Sequence, residues 1–204
     1  MSGGVLDADE TSTVSGALSH TADITIDVAD NKTLTYSGTA ISLGANMLTL
    51  SGGGSFVSGG LTLNNADSKL LLNSITVDSV STTSDSLGLD VDNNSTVTSL
   101  SVGYITPVSI ASGKSLSGAI TVTAGSLKLT EAGTLASTIA MSGGTLDADE
   151  SLAVSGALTQ SGDITIDVAD NKTLTYSGTA ISLGANTLTL IGGCLLYTSD
   201  AADE

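Results

Sequence analysis

Acidic side chains are the residues of this chain best suited to chemistry, and they occur in short groups that are present twice. The candidate metal ligands are Asp7, Asp9, Asp27 and Asp30, together with their copies Asp147, Asp149, Asp167 and Asp170. Ca²⁺ binds about six to eight oxygen ligands, which acidic turns on adjacent layers of a repetitive fold could supply. Neither an EF-hand loop nor the glycine-rich nonapeptide of calcium-loaded β-rolls is present. Two interpretations therefore stay open: a calcium site, or solvated turn acids that keep the molecule soluble.

Threonine pairs around one aliphatic residue form a second pattern. The triplets begin at Thr33, Thr96, Thr121, Thr173 and Thr187. A flat ladder of such triplets could order water, and in this respect the pattern is similar to ice-binding solenoids. That function needs one triplet per layer at one position, whereas Thr173 and Thr187 are far closer in sequence than Thr33 and Thr96. The high β-propensity of Thr explains these uneven triplets more simply, and ice binding is kept as an alternative.

Catalytic candidates are few. His20 is the single histidine, and Gln160 stands at its place in the second copy, so no repeated site depends on it. Asp7 and Asp9 could imitate the carboxylate pair of a glycosidase, but the chain has no arginine and offers no aromatic platform for sugars. We expect no catalysis and no cofactor, and keep a carbohydrate-active β-helix as the alternative.

Composition removes several classes of protein. Five lysines stand against 21 acidic residues, giving a net charge of -16, so no basic face for nucleic acid is expected. A mean hydropathy of +0.33 argues against disorder, and one cysteine argues against a disulfide scaffold. The sequence shows no basic segment followed by an apolar stretch, so a signal peptide is not expected. A membrane span is not expected either.

A long internal repeat organises the chain. Residues 1–50 align with residues 141–190 at an offset of 140, and nine of those fifty positions differ. The segment Ile24 to Asn46 recurs unchanged as Ile164 to Asn186. The sequence thus predicts one full repeat over 1–140 and the start of a second over 141–193. Because Met1 aligns with Met141, we expect the chain to begin inside a repeat.

The last eleven residues, 194–204, break the pattern. They read CLLYTSDAADE. This string resembles the translation of the transposase adapter used in preparing sequencing libraries. The resemblance implies a non-native tail that contains the single cysteine, Cys194, and a native solenoid region that ends at residue 193.

Apolar and polar residues alternate with period two in short runs, which predicts strands of three to five residues with one buried face. The runs begin at Ile24, Leu34, Ile41, Leu48, Leu61, Ile75, Leu87, Ile120 and Leu127. Gly, Asn, Asp and Ser between the runs suit sharp corners. No stretch carries apolar residues at helical spacing over three turns, so almost no helix is expected.

Three observations favour a parallel β-solenoid over a sandwich. Aromatic residues make up only 2% of the chain, and sandwich cores usually depend on large rings. The hairpin pairs Asn-Gly and Asp-Gly do not occur. Similar apolar triplets recur at Ile24, Leu48 and Leu70, at nearly equal intervals. We therefore predict an all-β, single-stranded parallel β-helix of roughly nine turns of about 22 residues over residues 1–193.

The segment ITIDVADNKTLTYSGTAISLGANTLTL resembles the right-handed parallel β-helix repeats of large bacterial surface and secreted proteins. Autotransporter passengers and filamentous-haemagglutinin-like adhesins share this pattern of short apolar triplets between polar corners. The resemblance implies a right-handed coil, an extracellular or outer-surface location, and a structural or adhesive role without catalytic residues. The implied partners are a host or neighbouring cell surface, or a polysaccharide, bound through a longer protein. Open ends of such a coil expose unpaired strand edges, so end-to-end self-association is expected.

Overall fold

Short alternating strands wind into a β-solenoid of about ten turns in a computed structural model of the chain. The structure describes residues 1–16, 18, 20–39 and 41–197, and these residues contain no helix. Residues 198–204 of the expected tail lie outside the described part.

The 22 strands are named here in chain order. They are β1 Gly4–Ala8, β2 Ser12–Val14, β3 Ile24–Val28, β4 Thr33–Tyr36, β5 Ile41–Ser42, β6 Met47–Ser51, β7 Ser55–Val57, β8 Leu61–Leu63, β9 Lys69–Asn73, β10 Thr76–Thr82, β11 Gly88–Val91, β12 Ser95–Val102, β13 Ile105–Ile110, β14 Ser115–Val122, β15 Ser126–Leu129, β16 Thr134–Leu135, β17 Thr138–Met141, β18 Thr145–Ala148, β19 Leu152–Val154, β20 Leu158–Gln160, β21 Ile164–Tyr176 and β22 Leu188–Tyr197.

All these strands pair in parallel and line up in three columns, which we call the first, second and third faces. The first face consists of β1, β3, β6, β9, β11, β13, β15 and β18, followed by the starts of β21 and β22. The second face consists of β2, β4 and β7, the starts of β10, β12 and β14, then β16 and β19, and the ends of β21 and β22. The third face consists of β5 and β8, the ends of β10, β12 and β14, then β17 and β20. The predicted all-β parallel solenoid is confirmed.

Turn length varies more than the sequence suggested. A short turn carries the chain from Leu70 to its partner Leu89, and a longer one carries it from Ile24 to Leu48. The corners absorb this variation while the strands stay in register. The chain therefore completes about ten turns, one more than the nine predicted for residues 1–193.

The core is a continuous column of aliphatic side chains along the coil axis. Ile26, Leu50 and Leu72 stand in register on three successive turns, and none has any exposed surface. Each inward side chain is covered by the turns before and after it, and burial of a Leu or Ile contributes about 1.5–3 kcal/mol. Stability therefore comes mainly from contacts between neighbouring turns.

Corners depend on backbone that few residues adopt. Asn31 and Asn171 occupy the same corner in the two copies, and both have a φ of 61°. Asn tolerates this left-handed conformation better than most residues other than Gly. On the next turn Gly52 lies so close to Val28 that a Cβ would overlap the Val28 carbonyl oxygen. Residues without a Cβ thus let successive corners stack.

The predicted run that begins at Leu87 differs from the structure. Strand β11 starts one residue later, Leu87 is exposed, and Ser86 is buried in its place. Gly88 has a φ of 88°, and this left-handed backbone reverses the alternation before Leu89 turns inward. A left-handed residue thus changes which side chains face the core, and simple alternation does not predict it.

Candidate functional surfaces

The predicted acidic ligands lie on the first face and at the corner that follows it. Asp7 stands in register with Asp27, and in the second copy Asp147 stands in register with Asp167. Neighbouring strands are about 4.8 Å apart, so each pair places two carboxylates side by side. Asp27 also accepts a hydrogen bond from the Ser51 hydroxyl on the next turn. The fold therefore brings the repeated carboxylates together in pairs.

The remaining predicted ligands occupy the corner between the first and second faces. Asp9 and Asp30 are exposed there, as is Asp170, whereas Asp149 is half-buried. Among the described residues, no three His, Cys, Asp or Glu side chains come close enough together to hold a metal ion. The calcium site stays a prediction.

A lysine occupies the space between two of these acids in the second copy. Lys128 Nζ lies 3.2 Å from Asp147 Oδ2 and 2.8 Å from Asp149 Oδ2. The hydrogen bond to Asp149 raises the pKa of Lys128, burial opposes this effect, and Asp147 adds to it. Because the ammonium already occupies the space between the two carboxylates and offsets part of their charge, a cation would have to displace it. The structure supplies a competing contact that the sequence did not indicate.

Three further ion pairs connect adjacent turns. Lys32 Nζ lies 2.5 Å from Glu10 Oε2, and its copy Lys172 lies 2.6 Å from Glu150 Oε2. Lys69 Nζ lies 2.6 Å from Asp90 Oδ2. Four of the five lysines thus form a contact across a turn boundary, which reduces repulsion between stacked acids.

Hydroxyls form an unbroken file on the second face. Thr33, Ser55, Thr76, Thr96 and Ser117 stand in register on five successive turns. Thr96 Oγ1 and Ser117 Oγ are 2.7 Å apart. The Thr-x-Thr spacing did not reveal this file, because Ser takes the place of Thr on two of the five turns and the turns differ in length. One hydroxyl thus stands on each of these five turns, but the predicted requirement of one Thr-x-Thr triplet per layer is not met, since Ser55-Phe56-Val57 lies beside Thr33-Leu34-Thr35.

The third face is uncharged. Its outward file contains Ser42, Thr62, Ser81, Ser101 and Thr121 on successive turns. The third-face segments of the described strands carry no Asp, Glu or Lys. The acidic charge of the molecule is therefore concentrated on the first face and at the corners.

His20 and its counterpart Gln160 each contact a backbone carbonyl oxygen at the same position of the two copies. The His20 Nε2 atom lies 3.1 Å from the Leu43 carbonyl oxygen. Gln160 Nε2 donates to the equivalent carbonyl of Leu183 at 3.3 Å. Imidazole and amide thus make the same cross-turn contact. This agrees with the sequence argument that no repeated site depends on His20.

Two buried tyrosines have a role that the sequence analysis did not assign. The backbone N–H of Leu18 donates to the Tyr36 hydroxyl at 2.7 Å. In the second copy the N–H of Leu158 donates to the Tyr176 hydroxyl at 2.9 Å, and that hydroxyl donates to the Thr179 carbonyl at 2.7 Å. The sequence did contain a signal for this role, since each tyrosine stands at an inward position of the apolar–polar alternation. A buried phenol hydroxyl needs a polar partner, so such a position predicts a hydrogen bond.

Tyr104 differs from these tyrosines because 46% of its surface is exposed. The chain therefore presents one accessible aromatic ring among its described residues, which bears on the expectation that it offers no aromatic platform for sugars. Tyr104 follows the end of β12, where the chain leaves the third face. It is a surface residue on the side wall of the solenoid.

The C-terminal strand extends into the segment expected to be non-native. Residues 194–197 form the end of β22, with Leu195 in register with Leu174. Cys194 is exposed and forms no disulfide. That part of β22 occupies the place that β7 has in the first copy.

Comparison with known proteins gives no family for this chain: no protein-family profile, no curated protein and no solved structure matches it. The described residues contain no apolar helix of membrane-spanning length.

Proposed function

We propose that this chain is a structural and adhesive length module, part of an elongated stalk on the outer surface of a bacterium or secreted by it. The observation that supports this role is that the internal repeat fills a whole number of turns. The high acidity and the resemblance to bacterial β-helix repeats support the extracellular location. The proposal involves no catalytic step.

The repeat closes after seven turns. From β1 the first face continues through β3, β6, β9, β11, β13 and β15 to β18, which is the copy of β1. Likewise β2 and its copy β19 both lie on the second face. Each described strand that occurs in both copies therefore returns to its own column.

A whole number of turns has a mechanical consequence. One added repeat lengthens the rod by about 34 Å, at roughly 4.8 Å per turn. It also keeps the acidic face, the hydroxyl file and the uncharged face in their own columns. Copy number can then change the reach of the rod without changing the order of its surfaces. Weak contacts that recur in each copy would add through multivalency.

Insertion of one further copy of residues 1–140 tests this role. We expect the maximum dimension from small-angle X-ray scattering to increase by about 34 Å, with an unchanged β-sheet circular dichroism spectrum. A matched control inserts only residues 1–130, which ends the copy about half a turn early and should destabilise the junction. An unchanged dimension after insertion of residues 1–140, or equal tolerance of both insertions, would contradict the proposal.

A further inference from the structure

Apart from Val57 on the second face, the exposed large apolar side chains of the described residues are concentrated in three places. Met1 and Val5 lie at the N-terminal end, and Leu183, Leu190, Ile191 and Leu196 lie at the C-terminal end. Within the described residues no further turn covers either end, which explains those two groups. The third group is Leu87, Tyr104 and Ile105, which lies far from both ends and which we call the Tyr104 corner.

The Tyr104 corner joins the third face to the first face on two adjacent turns. Leu87 directly precedes β11, Tyr104 directly precedes β13, and Ile105 is the first residue of β13. Because β11 pairs with β13, the three residues are neighbours along the coil axis. Their exposed fractions are 53% for Leu87, 46% for Tyr104 and 48% for Ile105.

The backbone under the Tyr104 ring is fixed by contacts from both sides. Asp85 Oδ1 on the preceding turn accepts a hydrogen bond from the Ile105 N–H at 3.0 Å. The Tyr104 carbonyl accepts from the Ser126 N–H at 3.3 Å on the following turn. Gly125 packs against Tyr104 so closely that a Cβ would lie 2.5 Å from the Tyr104 carbonyl carbon. A projecting ring on a fixed backbone loses little entropy when it binds a ligand.

Unpaired hydroxyls border the same corner. Ser86 is only 9% exposed, and its hydroxyl has no hydrogen-bond partner among the described residues. The buried Ser126 hydroxyl, on the strand paired with Ile105, likewise has none within the described part of the chain. Unsatisfied buried polar groups are uncommon in proteins and require an explanation. Because both hydroxyl atoms are buried, the surface that a ligand could contact at this corner is that of Leu87, Tyr104 and Ile105.

Size and charge limit what this corner can bind. A stable protein interface buries about 800 Å² per partner over roughly 20–30 residues, far more than three side chains offer. Asp85 and a net charge of -16 disfavour an anionic ligand. An uncharged sugar ring fits both limits, because its C–H face packs on a tyrosine ring while its hydroxyls can donate to a carboxylate.

We propose that the Tyr104 corner binds pyranose rings of an uncharged polysaccharide, with Tyr104 as the stacking platform and Asp85 as the acceptor. This inference rests on the adhesive part of the proposed function and names its ligand class. A single corner gives a weak contact, with a Kd on the order of 1 mM. A polysaccharide that spans several copies would bind more tightly through multivalency.

Saturation-transfer difference NMR with cellohexaose and mannohexaose tests the proposal on the full chain. We expect transfer to at least one of the two and none to a polygalacturonate hexamer. Tyr104→Ala should weaken binding at least about tenfold, whereas Tyr104→Phe, which keeps the ring, should change it by less than about threefold. Val57→Ala removes an exposed aliphatic side chain from the second face and serves as the matched control. Melting curves confirm that each variant is folded.

Equal binding by wild type and Tyr104→Ala would overturn the proposal, and so would absence of binding to both neutral oligosaccharides. Stronger binding of the polygalacturonate hexamer would overturn it as well. The scattering experiment on inserted repeats measures length only. If the neutral oligosaccharides do not bind but the inserted repeat gives the expected increase in length, the glycan site is refuted and the proposal of a structural module still holds.

Discussion

Single polar side chains stabilise this molecule by connecting one turn to the next. The Tyr176 hydroxyl accepts a hydrogen bond from Leu158 on the preceding turn, and the Lys128 ammonium connects β15 to Asp147 on β18. Each contact spans one turn of the coil. Loss of such a contact should therefore weaken the interface between two turns and leave the strands themselves intact.

Replacement of Tyr176 by Phe should lower stability by about 1–3 kcal/mol, because the Leu158 N–H would stay buried without its acceptor. The midpoint of urea unfolding measures the loss. Tyr104→Phe removes the same hydroxyl at an exposed site and should shift the midpoint by less than about 0.5 kcal/mol. Equal shifts in the two variants would show that the buried hydroxyl bond is unimportant.

The ion pair of Lys128 should give a pH-dependent contribution. Its pKa is raised in the folded state above the ordinary value of 10.5, so the stabilisation is complete below that pH and is lost as the pH rises through the folded-state pKa. The Lys128 side chain is one-third exposed. We therefore expect Lys128→Met to cost less than about 1 kcal/mol near neutral pH.

The difference in melting temperature between wild type and Lys128→Met, followed from pH 8 to pH 11.5, measures this contribution. It should stay constant up to about pH 10 and shrink above it. Lys114, for which no ion pair is found among the described residues, supplies the control Lys114→Met. A difference that grows with rising pH would contradict the assignment.

Corners and strands are the elements that set the distance between turns. Strands stack at about 4.8 Å, which leaves no room for a Cβ directed along the coil axis. Gly118 illustrates this limit, because a Cβ there would overlap the Val97 carbonyl oxygen. Glycine at such positions is required by the neighbouring turn as well as by its own backbone.

Gly118→Ala should therefore destabilise the solenoid more than Gly113→Ala. Both glycines have positive φ, 120° and 73°, but a Cβ on Gly113 would meet nothing within 4 Å. Backbone strain alone costs about 1–2 kcal/mol, and the steric clash at Gly118 adds to it. Urea unfolding midpoints compare the two variants. A larger loss for Gly113→Ala would refute the steric explanation.

At the scale of the whole molecule, the described residues form a rod in which the first and last turns have a neighbouring turn on one side only. Leu50 is completely buried by the turn that follows it, whereas its copy Leu190, at the last turn, is 56% exposed. Among the described residues, β1 pairs only with β3 and β22 only with β21, so each presents one unpaired strand edge. These edges are complementary to one another in the way that any two successive turns are.

We expect this chain to associate end to end at tens of micromolar, as measured by light scattering under reducing conditions. Association should increase with salt, because screening reduces repulsion between molecules of charge -16. Leu190→Lys places a charge on the open end and should favour the monomer. Val57→Lys places the same charge on the side wall and should not. A monodisperse monomer for wild type at high salt would refute this prediction.

The amino-acid sequence alone determined the fold class. Period-two alternation at Ile24–Val28 and Thr33–Tyr36 requires strands with one buried face, and their exact recurrence in the second copy predicts equivalent positions in the coil. Local chemistry is sufficient for these conclusions, because side-chain direction alternates along any strand. The sequence also identified Asp7 and Asp27 as candidate ligands, although their pairing depended on the register.

Tertiary structure alone decided the register, because it depends on corner lengths that no local pattern fixes. That register aligned Thr33 with Ser55, placed Lys128 against Asp147, and left Tyr104 on the surface. Ile181–Leu183 repeats Ile41–Leu43, yet among the described residues the first copy alone is paired with a following strand and buries its leucine. An identical sequence thus takes different structures, because a strand in a solenoid depends on the strands of the neighbouring turns for its hydrogen bonds and for burial of its side chains.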